Sequence, residues 1–179
     1  MTNRFIAADA NKCIGCKTCE IACVMSHTHD INMSPDNFQP RLKVIKGMSV
    51  TVPVMCKHCE NAPCANGCPT NAIVRQNESI QVIQERCIGC KTCVIACPFG
   101  AMTVITQELD LADDDSQQPQ YKSQALKCDL CAENPQGPAC VSVCPTHALT
   151  LVQSQSLDAM IKHKQKRTAL DELTAFTQI

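Results

Sequence analysis

The sequence predicts an α+β fold: two copies of a small module built from short strands and short helices. Three observations lead there. Sixteen of the 179 residues are cysteine, and they fall into four groups of four. The segment Cys13-Ile14-Gly15-Cys16-Lys17-Thr18-Cys19 recurs letter for letter as Cys87-Ile88-Gly89-Cys90-Lys91-Thr92-Cys93, and Ile21-Ala22-Cys23 is matched by Ile95-Ala96-Cys97. Large side chains are scarce, with four Phe, one Tyr and no Trp, so something other than a side-chain core must fill the middle.

Cysteine at this density belongs either to a disulfide framework in a secreted protein or to metal binding in a reducing compartment. Residues 1–9 show no apolar stretch and no small-residue cleavage site of the kind that directs secretion. No apolar run reaches the roughly 18 residues of a membrane span. The expectation is a soluble, cytoplasmic protein without direct membrane insertion, in which the thiols serve metal. A formal charge of −1 offers nothing to nucleic acid or a charged membrane surface. An oxidised iron–sulfur cluster with its four thiolates adds about −2, so four of them would bring the molecule to roughly −9.

The elements follow the repeats. Apolar segments precede both copies of the cysteine run, at Phe5 to Ala8 and Ile80 to Ile83, and read as strands. A second repeat, Cys-Pro followed by two residues, Ala and an apolar residue, occurs at Cys68-Pro69-Thr70-Asn71-Ala72-Ile73, Cys97-Pro98-Phe99-Gly100-Ala101-Met102 and Cys144-Pro145-Thr146-His147-Ala148-Leu149. Arg41 to Ile45 and Ser49 to Val54 read as a hairpin turning at Gly47-Met48. The expected division is an outer module of 1–24 and 125–152, a hairpin connection at 25–55, and an inner module at 56–106. A polar loop at 107–124, with the acidic run Asp113-Asp114-Asp115, and a helical tail at 153–179 complete it. The tail alternates Leu157, Met160 and Ile161 with the basic stretch Lys162 to Arg167. It reads either as a docking helix or as a helix packed on its own chain.

The cysteine groups carry the chemistry. Group one is Cys13, Cys16, Cys19 and Cys23; group two is Cys56, Cys59, Cys64 and Cys68. Group three is Cys87, Cys90, Cys93 and Cys97; group four is Cys128, Cys131, Cys140 and Cys144. Groups one and three have the spacing C-x₂-C-x₂-C-x₃-C, the run that binds [4Fe–4S] clusters in bacterial two-cluster ferredoxins. Groups two and four widen one gap and keep the others. Three cysteines on a tight loop present three thiolates to one face of a cubane, and Gly15 and Gly89 stand where a positive φ helps the bend. The fourth cysteine is carried off on a short helix to the neighbouring cluster. Proline follows it in three groups; Val24 does so in group one, which implies a different exit path. A single C-x₂-C would suit zinc or redox thiols, but four complete quartets point to four [4Fe–4S] clusters.

Groups two and three are contiguous, which leaves groups one and four for each other. The crossed rule then gives four ligand sets: Cys13, Cys16, Cys19 with Cys144; Cys128, Cys131, Cys140 with Cys23; Cys56, Cys59, Cys64 with Cys97; and Cys87, Cys90, Cys93 with Cys68. No catalytic constellation accompanies them. His27, His29, His58, His147 and His163 read as surface or structural residues. Lys57, His58 and Lys127 flank ligand cysteines, where they either raise a nearby potential or simply offset thiolate charge.

The chain resembles the four-cluster ferredoxin-like electron-transfer subunits of molybdenum and tungsten oxidoreductases, most closely the HydN/HycB type. Arg4-Phe5-Ile6 with Asp9, Cys56-Lys57-His58-Cys59-Glu60-Asn61-Ala62-Pro63-Cys64, Lys127-Cys128-Asp129-Leu130-Cys131 and Gly137-Pro138-Ala139-Cys140 carry the likeness. The resemblance implies the outer pairing above and a non-catalytic subunit whose clusters form a linear array. It further implies a molybdopterin-type formate dehydrogenase catalytic subunit as partner, with hydrogenase subunits as a possible sink. A free polyferredoxin shuttle and an iron–sulfur sensor or maturation factor are the alternative readings.

Overall fold

The structure, a computed structural model, describes residues 3–28, 34–35, 37–109 and 120–176. Two short ladders organise it. Strand β1 (Phe5–Ala8) pairs antiparallel with β8 (Leu149–Val152), Phe5 opposite Val152 and Ala8 opposite Leu149. This pairing closes the outer segments around the middle. Strands β4 (Ile73–Gln76) and β5 (Ser79–Val82) form the second ladder. Their two-residue turn, Asn77-Glu78, has φ of 51° and 56°, the doubly positive turn that matches strand twist.

Each ladder is joined by two helices. Helix α1 (Thr18–Met25) packs on α4 (Ala139–Ser142), and α2 (Pro63–Asn66) on α3 (Thr92–Ala96). In the groups with widened gaps, proline restarts the chain as helix: Pro63 opens α2, and Pro138 caps α4. Two further hairpins cover these units. Strands β2 (Leu42–Lys46) and β3 (Thr51–Met55) form the expected one, closed by the Gly47 N–H donating to the Val50 carbonyl at 2.8 Å. Leu42, Val44 and Met55 turn inward and join Ile6, Leu149 and four cysteines in one core. The buried Glu20 carboxylate of α1 accepts the Val44 N–H at 2.6 Å, pinning the hairpin to the helix. The second core, around Ile73, Ile80, Met102 and Ala125, again mixes aliphatic side chains with cysteine.

Of the expected loop 107–124, residues 107–109 and 120–124 are strand, and 110–119 lie outside the described residues. Strand β6 (Thr103–Leu109) pairs with β7 (Gln120–Leu126), and Gln107 stands opposite Lys122. Val104 and Ala125 join the second core, but farther along the ladder the pairing is polar, with the Thr106 and Ser123 hydroxyls meeting at 3.1 Å. The apolar alternation that betrays a strand in sequence is therefore weak in that part. The acidic run Asp113-Asp114-Asp115 lies outside the described residues. The tail forms one helix, α5 (Ser154–Phe176). Every side chain from Asp158 to Leu170 is exposed, so this part projects instead of packing on its own chain. Among the described residues no helix is long and apolar enough to cross a membrane.

Polar ties join the two halves. The Asn3 side chain donates to the His58 carbonyl at 2.6 Å, and Arg75 donates to Asn3 at 2.7 Å. The Arg4 N–H reaches the Glu78 carbonyl at 2.7 Å, and the Gln81 side chain reaches the Asp129 carbonyl at 3.0 Å.

The two repeated glycines are fixed twice over. Gly15 and Gly89 both have φ of 70°, and both lie beneath a covering hairpin. A Cβ on Gly15 would come within 2.7 Å of Thr51 Cγ2, and one on Gly89 would strike Ser123. Gly100 has φ of 60° with open space around it. Gly100→Ala is thus expected to carry only backbone strain, about 1–3 kcal/mol, whereas Gly15→Ala adds a steric clash. Melting curves of the iron-loaded variants check this; equal losses would remove the hairpin contact from the account.

Candidate metal centres

The first two cysteines of every group share one local conformation. The residue two past the first cysteine is left-handed in all four: Gly15 and Gly89 at φ 70°, His58 at 48° and Leu130 at 62°. The bend turns successive thiols to one side. Glycine marks it in groups one and three; His58 and Leu130 adopt it without that signal. The third cysteine then sits in the first turn of a helix, as Cys19, Cys64, Cys93 and Cys140.

The fourth cysteine crosses over. Cys13, Cys16, Cys19 and Cys144 line one small cavity. Cys87, Cys90, Cys93 and Cys68 line a second, and Cys56, Cys59, Cys64 and Cys97 a third. Burial and then the nearby cysteines Cys128, Cys23, Cys131 and Cys19 push the Cys140 thiol up, and Cys140 packs in one core with Cys19, Cys23 and Cys128. All sixteen cysteines are free thiols.

The repeat Cys-Pro-x-x-Ala has a purpose in this geometry. The residue before each Ala is left-handed: Asn71 at φ 50°, Gly100 at 60°, His147 at 49°. That twist aims the Ala N–H back at the cysteine. Ala72 donates to Cys68 Sγ at 3.3 Å, Ala101 to Cys97 at 3.4 Å and Ala148 to Cys144 at 3.3 Å. Cys23, followed by Val24, takes the expected different exit. Helix α1 runs on to Met25, and the Arg41 N–H, 18 residues away, supplies the bond to Cys23 Sγ at 3.3 Å. Nothing in the sequence marks Arg41 for this part.

Burial pushes the inner thiols up, Cys19 to about 11 and Cys128 to about 12. As thiolates they need a positive charge among them. A different network flanks Cys23. His27 Nδ1 lies 2.7 Å from the Cys23 carbonyl oxygen, and Nε2 lies 2.9 Å from Asp129 Oδ1. Arg41 holds the other Asp129 oxygen. Burial works against both charges, but His27 and Arg41 hold the Asp129 carboxyl well below its usual range. The donors of His27, Asp129 and Cys131 converge within 4.8 Å. Since Asp129 is already engaged twice, they form an ion-pair network beside a thiol set.

Between the two modules stands Lys127, 3% exposed, whose ammonium donates to the Ile80 carbonyl and, at 2.6 Å, to the Cys128 carbonyl. His58 beside it is 1% exposed. Its Nδ1 accepts the Ile80 N–H at 3.0 Å, which leaves the proton on Nε2. Burial and then the Lys127 charge lower its pKa to about 3, so the ring is neutral. The histidines thus serve structure: His58 in the core, His27 in the ion pair, His147 in a left-handed turn and His163 on exposed α5. His29 lies outside the described residues.

Short strands and helices carrying C-x₂-C loops, with a fourth cysteine returning from elsewhere, define an iron–sulfur protein of the ferredoxin type. Comparison with known proteins narrows this. The model of the 4Fe-4S dicluster domain matches residues 48–154, and that of a 4Fe-4S binding domain matches 10–25. The chain is 49% identical over 179 residues to the electron transport protein HydN of Escherichia coli strain K12, across 94% of this chain and 98% of that one. It is 38% identical over 199 residues to formate hydrogenlyase subunit 2 of the same strain, across 98% and 96%. The chain belongs to the 4Fe-4S dicluster family, among the HydN-type ferredoxin-like electron-transfer subunits.

Burial presses the His27 ring downward, but the bonds to Asp129 and Cys23 outweigh it and raise the pKa from 6.5 to about 10. A histidine favoured as cation in the folded state contributes fully below its unfolded pKa and loses that contribution as pH rises through the folded one. Stability is therefore expected to fall between about pH 6.5 and 10, and His27→Gln to flatten that part of the profile. Melting temperatures of loaded protein across the window check it; parallel slopes would contradict it.

Proposed function

We propose that the four thiol sets hold four [4Fe–4S] clusters, and that the protein relays electrons along them from a molybdenum or tungsten formate dehydrogenase to a hydrogenase or other acceptor. It does so as a cytoplasmic, non-catalytic subunit that enters no membrane and binds no nucleic acid. The observation that carries this is the delivery of each group's fourth cysteine to its neighbour's first three. Further support comes from His58 Nε2, a buried N–H with no protein acceptor, beside Cys56 and Cys59. A sulfur-rich core would supply one. The name of one relative, formate hydrogenlyase subunit 2, supports a formate-linked partner.

Each cluster, when bound, takes up and gives back one electron. The protein's part is spacing and charge. Two duplicated modules, outer at 1–24 with 125–152 and inner at 56–106, each seat two clusters. Cys56 of the inner module packs against the core that holds Cys128 of the outer one, which supports the sets of Cys128 and Cys56 as the middle pair. Cys16 and Cys90 are exposed, which makes their sets the two ends. Lys127 at the junction keeps a cation between the middle pair, and N–H···S bonds favour the reduced state.

A Cys23→Ser protein is expected to perturb the cluster of Cys128, Cys131 and Cys140 and to spare that of Cys13, Cys16 and Cys19. Site-resolved EPR with Cys16→Ser as the reverse case reads this out, and the opposite pattern rejects the crossed ligation. Anaerobic native mass spectrometry of gently purified protein tests the relay. Four cluster masses with a bound molybdenum or tungsten enzyme support it; four clusters on a chain that never associates or exchanges electrons with such an enzyme favour the free shuttle.

A further inference from the structure

The four sets are not equipped alike. Thr18 Oγ1 donates to Cys16 Sγ at 3.4 Å, and Thr146 Oγ1 lies 3.8 Å from Cys144 Sγ. Both sulfurs belong to the set that includes Cys13. Thr70 Oγ1 lies 3.7 Å from Cys68 Sγ, and Thr92 is hydrogen-bonded to Cys90. Both of these belong to the set that includes Cys87. Each end set therefore has two hydroxyls, one on an exposed cysteine and one on the cysteine that crosses over. With sulfur bound as thiolate, the hydroxyl can only donate.

The middle sets break the pattern at every equivalent position. Two residues past the cysteine, Asn61 follows Cys59 and Glu133 follows Cys131, where Thr18 and Thr92 stand at the ends. Phe99 follows Cys97 and Met25 follows Cys23, in place of Thr70 and Thr146. Among the described residues the middle sulfurs meet backbone N–H groups of His58, Ala101 and Arg41, at 3.3 to 3.4 Å, and the His27 ring at 3.9 Å. The buried ammonium of Lys127 lies at their junction and not at the ends.

Geometry and sequence together point to a division of labour, which rests on the four-cluster reading above. We propose that Thr18 with Thr146, and Thr70 with Thr92, are paired positioning residues that set the reduction potentials of the two end clusters. A hydrogen bond to a ligand sulfur draws charge from it and favours the reduced cluster. At the ends this matters most, because water beside an exposed cluster helps to stabilise the added electron and a docking partner displaces that water. A hydroxyl anchored two residues from its sulfur stays when the water leaves.

The experiment is an EPR-monitored redox titration of the iron-loaded full chain with Thr18→Val and Thr146→Val, singly and together. Iron content and Mössbauer spectra first establish four [4Fe–4S] clusters in the wild type; their absence there would defeat the four-cluster reading itself. With four clusters present, the potential of the Cys13, Cys16, Cys19, Cys144 cluster is expected to fall in each single variant and further in the double. The other three stay in place, and Thr18→Ser keeps the native value. An unchanged potential, or an equal drift of all four, overturns the proposal. If valine costs iron, Thr18→Ala and Thr146→Ala carry the same comparison without an apolar branch. Loss of cluster from valine and alanine variants, with serine retaining it, would make the hydroxyl an assembly requirement and overturn the tuning role. Thr70→Val with Thr92→Val repeats the test at the Cys87 end.

Discussion

The structure turns on a single electrostatic constraint: buried thiols gathered in fours, which cannot all become thiolates without a positive core among them. Cys128 is pushed to about 12 and Cys19 to about 11 by burial. Charge on such groups is intolerable alone and necessary for ligation. Both hydrophobic cores mix cysteine with aliphatic side chains. In a chain with no Trp and five Phe or Tyr residues, the metal and the fold stabilise each other. Binding free energy at such sites is folding free energy.

The same constraint shapes the junction between the halves. Two thiol-rich units brought together would repel. The buried part of the contact is made instead through neutral or positive groups: a buried lysine bonded to two carbonyls, a histidine held neutral, and an asparagine bridging loop and arginine. The acid Glu78 is paired with Arg4 nearer the surface. Asp129, the acid nearest this region, is fully occupied by Arg41 and His27. Backbone N–H groups then do at short range what Lys127 does at longer range.

How much of this was legible depended on whether a residue acts through its side chain or its backbone. The quartets, the glycine bends and the Cys-Pro-x-x-Ala repeats are side-chain signals that recur, and the structure brings Gly15, Gly89 and all three alanines to the places the repeats imply. Arg41 serves Cys23 through its amide, which any residue has, from a segment with no repeat to align it. His58 and Leu130 take a left-handed bend without being glycine, their side chains buried in the packing around them. Strands β6 and β7 escaped because Thr106 and Ser123 pair polar with polar, so the alternation that would betray them is weak there. The departure at Val24, by contrast, was readable as a changed exit because it broke a pattern present in the other three groups.

The covering hairpins carry the last step of the argument. β2–β3 and β6–β7 are additions to the ladder-and-helix unit, each reached from the same glycine position of its module, through Thr51 over Gly15 and Ser123 over Gly89. Thr51 pairs with Lys46 beside the turn of its hairpin, and Ser123 pairs with Thr106 in the middle of its ladder, so each side-chain contact holds its hairpin away from the base. Gly47 and Met48 at the tip of β2–β3 are exposed. Variation there alters the outer surface while the glycine contact preserves the loop that presents three thiols. Val44 and Pro53 of one hairpin and Val104 and Ala125 of the other line the cysteine cavities themselves. A scaffold that must hold its ligand geometry while meeting different surfaces thus confines change to the tips and not to the strands.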